Sequence, residues 1–310
     1  MKFNKFFLYI ASVALFFFSA CEEDELMTRY STDGATTELA KKIISGSDGY
    51  VGHLFKDTLY TVTQGVDVVE MEILSGSGLA VKMFLFEINL DNPKLTLLAS
   101  SPDDDNKLGK KQKMTLQAMA KDSEINKVWG AVNADFFTTA GIPQGIFYKN
   151  GVALKTTMAD PVCTFFAITK DLRPLIGSYN EYDLYKDQIK EAVGGRVRLM
   201  TNGSVLAQVN TAKEPRTAIG ITADNKVYIL VADGRNFWYS NGMTYTEMAN
   251  VFSALGVQDA INLDGGGSST FIIRNTPDFA ADRFRIRNWP YDGGGAERAV
   301  ANGLLIVERK

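Results

Sequence analysis

From about residue 50 onward, apolar residues come in short runs bounded by Gly, Asn, Asp and Pro, a pattern that predicts a chain built mainly of strands. Leu59 to Thr63, Val66 to Ile73, Val81 to Leu90 and Lys94 to Ala99 have strand length and strand composition. Asn150-Gly151 joins Ile146-Phe147-Tyr148 to Val152-Ala153-Leu154, and Asn202-Gly203 repeats the signal, so two tight hairpins are expected. Helical spacing is rarer. Tyr182, Tyr185, Ile189, Ala192 and Val193 recur on one helical face, with Gly194-Gly195 as the expected stop. Tyr245 to Leu255 is the clearest helix: Thr244 and Glu247 form a capping box, Met243 and Met248 a hydrophobic staple, and Gly256 stands at the stop. Strand Val257 to Leu263 follows it directly. The expected fold is α+β, with mixed, largely antiparallel sheets, a few packed helices, and both halves of the chain in one core.

That last strand leads into Asp264-Gly265-Gly266-Gly267-Ser268-Ser269, after which apolar residues return at Phe271. Three consecutive glycines sacrifice backbone order, so they mark either a flexible hairpin tip or a place where backbone must approach something closely. Free N–H groups in such a run can form an anion-binding concavity. The absence of a following Gly-Lys-Ser/Thr excludes a nucleotide P-loop. The order helix, strand, aspartate also occurs earlier. Thr115 to Asp135 aligns without a gap on Thr244 to Asp264, with seven of 21 positions identical, among them Asn133/Asn262 and Asp135/Asp264. Helix-strand units share Ala, Val and Met by composition, but Asn-x-Asp at a strand end is not a packing choice. The expectation is that Asp135 and Asp264 meet in one cleft, with the two units related by a pseudo-two-fold axis.

The N-terminus changes the picture of where the chain works. Lys2 and Lys5 precede an apolar run from Phe6 to Ala20, too short to span a bilayer and typical of a signal peptide. It ends in Phe18-Ser19-Ala20-Cys21, which resembles a bacterial lipobox with Phe18 in place of the usual Leu. The expected organisation is a lipoprotein signal peptide over residues 1–20, a lipidated Cys21 with a flexible acidic tether over 21–50, and a catalytic domain over 51–310. Glu22-Glu23-Asp24-Glu25 beside the lipidated cysteine resembles a surface-export signal. An exported bacterial lipoprotein of the outer membrane, exposed at the surface and held by lipid alone, is therefore expected. With Cys21 lipidated, Cys163 has no partner in the chain and reads as a buried core thiol. The formal net charge of −3 argues against nucleic acid as a partner.

Charged residues elsewhere sit at strand ends. Arg216 opens one apolar strand, Asp233-Gly234-Arg235 closes the next, and Glu297-Arg298 precedes the last. Taken singly these are a surface rim; taken together, arginines with carboxylates suit an anionic sugar ligand, because guanidinium forks bind phosphate and carboxylates work on glycosidic bonds. His53 is the only histidine, which nearly excludes a Ser-His-Asp triad. No zinc motif is present, and the clustered aspartates suit a divalent cation such as calcium, although no EF-hand loop exists. Phe136, Phe137, Phe237, Trp238, Trp289 and Tyr291 lie near these clusters and can stack on sugars.

Taken in order, NADFF (from Asn133), PRTAIG (from Pro215), VADGR (from Val231), NLDGGGSST (from Asn262) and ERAVANGLLIV (from Glu297) resemble the phosphodiester glycosidase family. The resemblance covers most of residues 55–310. It implies hydrolysis of a sugar-1-phosphodiester of the alpha-N-acetylglucosamine-1-phosphate type to free sugar and a phosphomonoester, with a phosphorylated glycan or sugar-phosphate diester as substrate. It also implies a pocket of Asn133, Asp135, Arg216, Asp233, Arg235, Asp264, Gly265, Gly266, Gly267, Ser268, Glu297 and Arg298. The expected roles are catalysis by Asp264, Asp135, Glu297 and Asp233, and substrate binding by the others, with Arg216, Arg235 and Arg298 on the phosphate. The alternatives are a surface glycan-binding lipoprotein without turnover, and a protein that modifies exopolysaccharide.

Overall fold

The computed structural model of the chain describes residues 31–275 and 282–310; the apolar run, Cys21 and the acidic run after it lie outside them. Among the described residues no helix is long and apolar enough to cross a membrane.

Among the described residues, three antiparallel sheets make the body. The first has eight strands in the order β1-β2-β3-β14-β13-β15-β11-β12. Its strands are β1 (Val51–Thr63), β2 (Val66–Ser75), β3 (Ala80–Asn89), β11 (Arg198–Thr201), β12 (Ser204–Val205), β13 (Arg216–Ile221), β14 (Lys226–Ala232) and β15 (Asp259–Asn262). The second, β17-β16-β5-β18-β4, takes β4 (Leu95–Ser100), β5 (Asn126–Asn133), β16 (Phe271–Arg274), β17 (Phe284–Ile286) and β18 (Gly303–Arg309). The third, β7-β6-β10-β8-β9, takes β6 (Phe147–Lys149), β7 (Val152–Lys155), β8 (Cys163–Thr169), β9 (Pro174–Ser178) and β10 (Ile189–Arg196). The expected α+β class, largely antiparallel, is what forms.

Period-two alternation explains how the sheets stack. In β14, Val227, Ile229 and Val231 enter the central core shared by all three sheets, while Tyr228, Leu230 and Ala232 face the core on the other side. In β18, Leu304 and Ile306 point to the central core, and Leu305 and Val307 to a third cluster under helix α2 (Met114–Lys121). Because these strands are covered on both faces they read as continuous apolar runs. Phe86 stacks on Phe271 with centroids 4.0 Å apart, joining the first sheet to the second.

Helices α1 (Glu38–Gly46) and α4 (Tyr245–Ala254) cover the outer face of the first sheet. The α4 box forms as read: Thr244 Oγ1 accepts from Glu247 N at 3.1 Å, and the Glu247 carboxylate accepts from Thr244 N at 2.8 Å. Helix α1 corrects the expected tether. Thr37 caps it, Leu39, Ala40 and Ile43 are buried, and a Cβ on Gly46 would stand 2.9 Å from Ala254 Cβ, so residues read as linker are packed against α4. A second difference lies at Tyr182 to Val193. Only the single turn α3 (Tyr182–Tyr185) is α-helical, and Ile189 to Arg196 is strand β10, inside the third sheet between β6 and β8. A strand buried on both faces carries apolar residues at every phase, and three- and four-residue spacings arise among them without a helix. Both Asn-Gly hairpins form, with Asn150 and Asn202 at φ 50° and 48°.

Candidate functional site

Five strand ends gather at one edge of the molecule. β5 and β15 finish there, β14 finishes beside the start of β13 with Arg216 opposite Ala232, and β18 begins there. The Asp264 N–H donates to Ala134 O at 2.7 Å, so the chain carrying Asp264 is hydrogen-bonded to the residue before Asp135. The expected meeting of the two aspartates therefore takes place. A two-fold relation between the units is not established by it: β5 and β15 belong to different sheets, and their asparagines do unlike work. Asn133 Nδ2 donates to Asp264 O at 2.6 Å, while its Oδ1 accepts from Thr217 Oγ1 at 2.9 Å and Thr270 N at 3.1 Å. Asn262 donates to Arg196 O at 3.3 Å, and its Oδ1 is buried without a partner among the described residues.

Asp135 is enclosed. Its N–H donates to Asn302 Oδ1 at 2.9 Å, and its Oδ2 accepts from Gly145 N at 2.8 Å. A Cβ on Gly194 would collide with the same carboxylate, and one on Gly145 would stand 3.1 Å from Oδ2. Gly194-Gly195, read as a helix stop, is strand that lets this carboxyl approach. Burial pushes Asp135 up to about 8, against the Gly145 N–H bond and the Lys155 charge, with Asp264 adding to the rise. Its Oδ1, like Asn302 Nδ2, is buried with no hydrogen-bond partner among the described residues.

Asp264 is more open. Its carboxylate accepts from Gly265 N at 2.9 Å. Burial raises it to about 6, opposed by the Ser268 hydroxyl, that N–H and the Arg298 charge. Two neighbouring carboxyls are thus held at different values, the arrangement that separates a proton donor from a base at neutral pH.

The glycine loop serves sterics more than anion capture. Gly266 N donates to Pro215 O at 2.8 Å, and Ser268 N and Ser269 N donate to Gly265 O and Gly266 O, so these N–H groups are already engaged. A Cβ on Gly265 would stand 2.5 Å from Pro215 O, one on Gly267 would strike the Asp292 carboxylate, and Gly266 sits at φ +61°. Positive charge comes from side chains on either side. Arg235 lies against Gly266, with its Nε on Glu214 at 2.5 Å and its guanidinium over the Tyr291 ring. Arg298 donates from Nε to Asp292 at 2.6 Å and from Nη1 to Ser268 Oγ at 3.3 Å.

The remaining motif residues are brought near but are occupied. Arg216, 6% exposed, donates to Met243 O at 3.1 Å and Ala212 O at 2.9 Å and stacks on Tyr245, so it holds two loops in place. Asp233 accepts from Trp289 N, Asn288 Nδ2 at 2.9 Å and Tyr239 Oη at 3.1 Å, and burial lifts its carboxyl above the usual range. Glu297 caps α2 from a distance, accepting from Thr115 N at 3.1 Å and from the Thr115 hydroxyl. Asn302, Lys155 and Asn288 were not singled out in the sequence. Asn302-Gly303 stood in plain view in the last motif; Lys155, whose charge acts on Asp135, had no local signal. Cys163 is a buried free thiol. Among the described residues no group of three or more His, Cys, Asp or Glu is disposed to hold a metal ion.

Comparison with known proteins places this site in context. A family model described as phosphodiester glycosidase matches residues 126–307, a span that contains every site residue from Asn133 to Arg298. The chain is 29% identical over 166 residues to the mouse N-acetylglucosamine-1-phosphodiester alpha-N-acetylglucosaminidase, covering 53% of this chain and 30% of that one. It is 29% identical over 193 residues to the SPbeta prophage-derived uncharacterized protein YomE of Bacillus subtilis (strain 168), covering 57% and 27%. Each match thus spans less than a third of the relative. The catalytic domain of the zebrafish N-acetylglucosamine-1-phosphodiester alpha-N-acetylglucosaminidase, auto-inhibited by its pro-peptide, shares the fold: TM-score 0.61 at 19% identity, over 82% of this chain and 88% of that one.

Proposed function

The chain belongs to the phosphodiester glycosidase family, and from that premise we propose that it hydrolyses the glycosidic bond of a sugar-1-phosphodiester of the alpha-N-acetylglucosamine-1-phosphate type. The observation that carries the reading is the pair of adjacent carboxyls, one raised to about 6 and one to about 8, beside arginines that flank the glycine loop. At neutral pH Asp264 is largely ionised and Asp135 largely protonated. Asp264 acts at the anomeric carbon, as base towards water or as nucleophile; the bond from that carbon to the phosphate oxygen breaks, and the electron pair leaves on phosphate. Asp135 keeps its proton, so it adds no second negative charge beside Asp264.

A phosphomonoester has a second pKa near 6, so it departs with less protonation than an alcohol needs. Arg235 and Arg298 stabilise the charge it gains, exchanging Glu214 and Asp292 for the phosphate. Arg216, Asp233 and Glu297 shape the loops around them. The test is phosphomonoester release from an alpha-N-acetylglucosamine-1-phosphate diester by the purified chain beside Asp264→Asn. Turnover by the first and not the second supports the reading; equal rates, or none from either, overturn it. The anomer of the sugar first released, followed by NMR, assigns Asp264 as nucleophile if the configuration is retained and as base if it is inverted.

We also propose that Cys21 carries lipid and that the protein acts at the outer membrane surface on exported glycans. The motif that motivates this precedes the described residues. Labelled palmitate that enters the wild-type chain and not Cys21→Ser supports it, and equal labelling of neither or both counts against it.

A further inference from the structure

A cavity of about 210 Å³ lies where the end of α2 and the second sheet meet the third sheet, and no residue of the aspartate site lines it. β18 begins at the aspartate edge, and Arg309, which lines the cavity, stands at its other end. Glu191, also in the lining, is three residues before Gly194 in β10, so it faces the opposite side of that strand from the glycine that touches Asp135. Four cations, Lys121, Lys149, Lys190 and Arg309, surround this one acid. Asp104 answers two of them: its carboxylate pairs with Lys149 at 2.6 Å and with Lys121 at 3.2 Å, and Lys149 also donates to Ser101 Oγ at 2.9 Å. Lys190 and Arg309 form no ion pair among the described residues, and Arg309 Nη2 is buried without a hydrogen-bond partner. Glu191 is occupied by backbone, its Oε1 accepting from Asn150 N at 2.9 Å and its Oε2 from Ala99 N at 3.2 Å. Burial raises it to about 7, opposed by those N–H groups and by the charges of Lys121 and Lys190. The lining thus keeps a surplus of positive charge, and a guanidinium N–H shut away from water still lacks its acceptor.

We propose that this cavity binds a small divalent oxyanion, a phosphate or sulfate group, among Arg309, Lys190 and Lys121. The inference stands apart from the glycosidase reading. Guanidinium and ammonium donors on three sides suit a tetrahedral group with acceptors in every direction, and they suit a neutral ligand poorly. An ionised Glu191 repels the anion, so binding favours its protonated form; the other charged groups around it are Lys121 on α2, Lys149 on β6, Lys190 on its own strand, Asp104 and Arg309. Bound there, the anion joins α2 and β18 to β10.

The test is calorimetric titration of sulfate into the full chain at an ionic strength held constant with sodium chloride. Sulfate keeps its charge throughout the neutral range, so any pH dependence belongs to the protein. Saturable binding is expected, weakening about 10-fold from about pH 6 to about pH 8 as Glu191 ionises. Arg309→Met and Lys190→Met each weaken it about 10-fold. Arg298→Met, at the glycine loop, leaves it as it was, which separates the cavity from the aspartate site. Glu191→Gln has no proton to gain and binds equally at both pH values. No saturable binding, binding that Arg298→Met removes and Arg309→Met keeps, or a pH dependence that survives in Glu191→Gln, overturns the site. If Glu191→Gln does not fold, the two cation variants decide alone. Inorganic phosphate and glycerol phosphate then compete against sulfate: displacement by the first alone makes the ligand a free ion, and displacement by both makes it the phosphate group of a larger molecule.

Discussion

Asn133-Ala134-Asp135 and Asn262-Leu263-Asp264 end two helix-strand units with the same pattern, yet almost everything around the two carboxyls differs. Asp135 is sealed between Gly145 and Gly194, with a neighbouring lysine and one oxygen unpartnered among the described residues. Asp264 is half-buried, held by its own loop through Gly265 and Ser268, and answers to Arg298. Local sequence delivers an aspartate to the same edge twice. Tertiary surroundings then give the two carboxyls different proton affinities, and a difference of that kind is what a two-carboxyl mechanism requires. The repeat thus has a chemical effect: two aspartates at one edge with unlike proton affinities.

The largest test of this difference is to make each carboxyl unable to ionise. Asp264→Asn is expected to lower kcat by about 1,000-fold or more, whereas Asp135→Asn, which keeps that position neutral, should change kcat at pH 7 by less than about 10-fold. The wild-type rate should rise as Asp264 ionises near 6 and fall as Asp135 loses its proton near 8. A pH profile of kcat for Asp135→Asn should lack the alkaline fall and keep the acid rise. An alkaline fall that survives in this variant would assign it to another group.

Stability gives the same contrast with the sign fixed by linkage. Asp135 binds its proton more tightly folded than unfolded, so its contribution is fully present below the ordinary value of 3.8 and is lost as pH rises through about 8. The wild-type Tm should therefore decline from weakly acid to alkaline pH by more than that of Asp135→Asn, as thermal melts at several pH values would show. The asparagines offer a smaller effect. Asn133→Ala leaves Thr217, Thr270 and Asp264 O without their partner and should cost about 2 to 3 kcal/mol in urea unfolding, against about 1 kcal/mol for Asn262→Ala, which makes one long bond. Equal losses would mean that the two positions are alike after all.

Much of this was legible in local sequence, where local chemistry decides the outcome. Asn150-Gly151 and Asn202-Gly203 turned as read because their backbone needs are met within the turn, and the α4 box formed because Thr244 and Glu247 satisfy each other. Helix α1 was hidden: its polar, serine-rich surroundings look like tether, and its apolar side is explained only by α4, some 200 residues away in the chain. The site divides the same way. Asp135 and Asp264 stood out through an unusual residue at a strand end, whereas the engagement of Arg216 by two carbonyls and of Glu297 by a helix start depends on loops distant in sequence.

Lys155 gives the finest probe of the comparison, because it acts on one aspartate and carries no local signal of that role. It follows the Asn150-Gly151 hairpin at the end of β7, and its ammonium donates to Gln144 O at 3.3 Å and to Thr157 O. Its charge pulls the Asp135 carboxyl down, while burial lowers the lysine's own pKa. Lys155→Met keeps most of the side chain's apolar length and deletes the charge, so Asp135 should hold its proton to higher pH. The alkaline limb of kcat should then move up by a fraction of a pH unit while the acid limb stays, because Lys155 is not among the groups acting on Asp264. Both limbs moving together would mean that the two carboxyls share one field, and the division between them would then have to be drawn elsewhere.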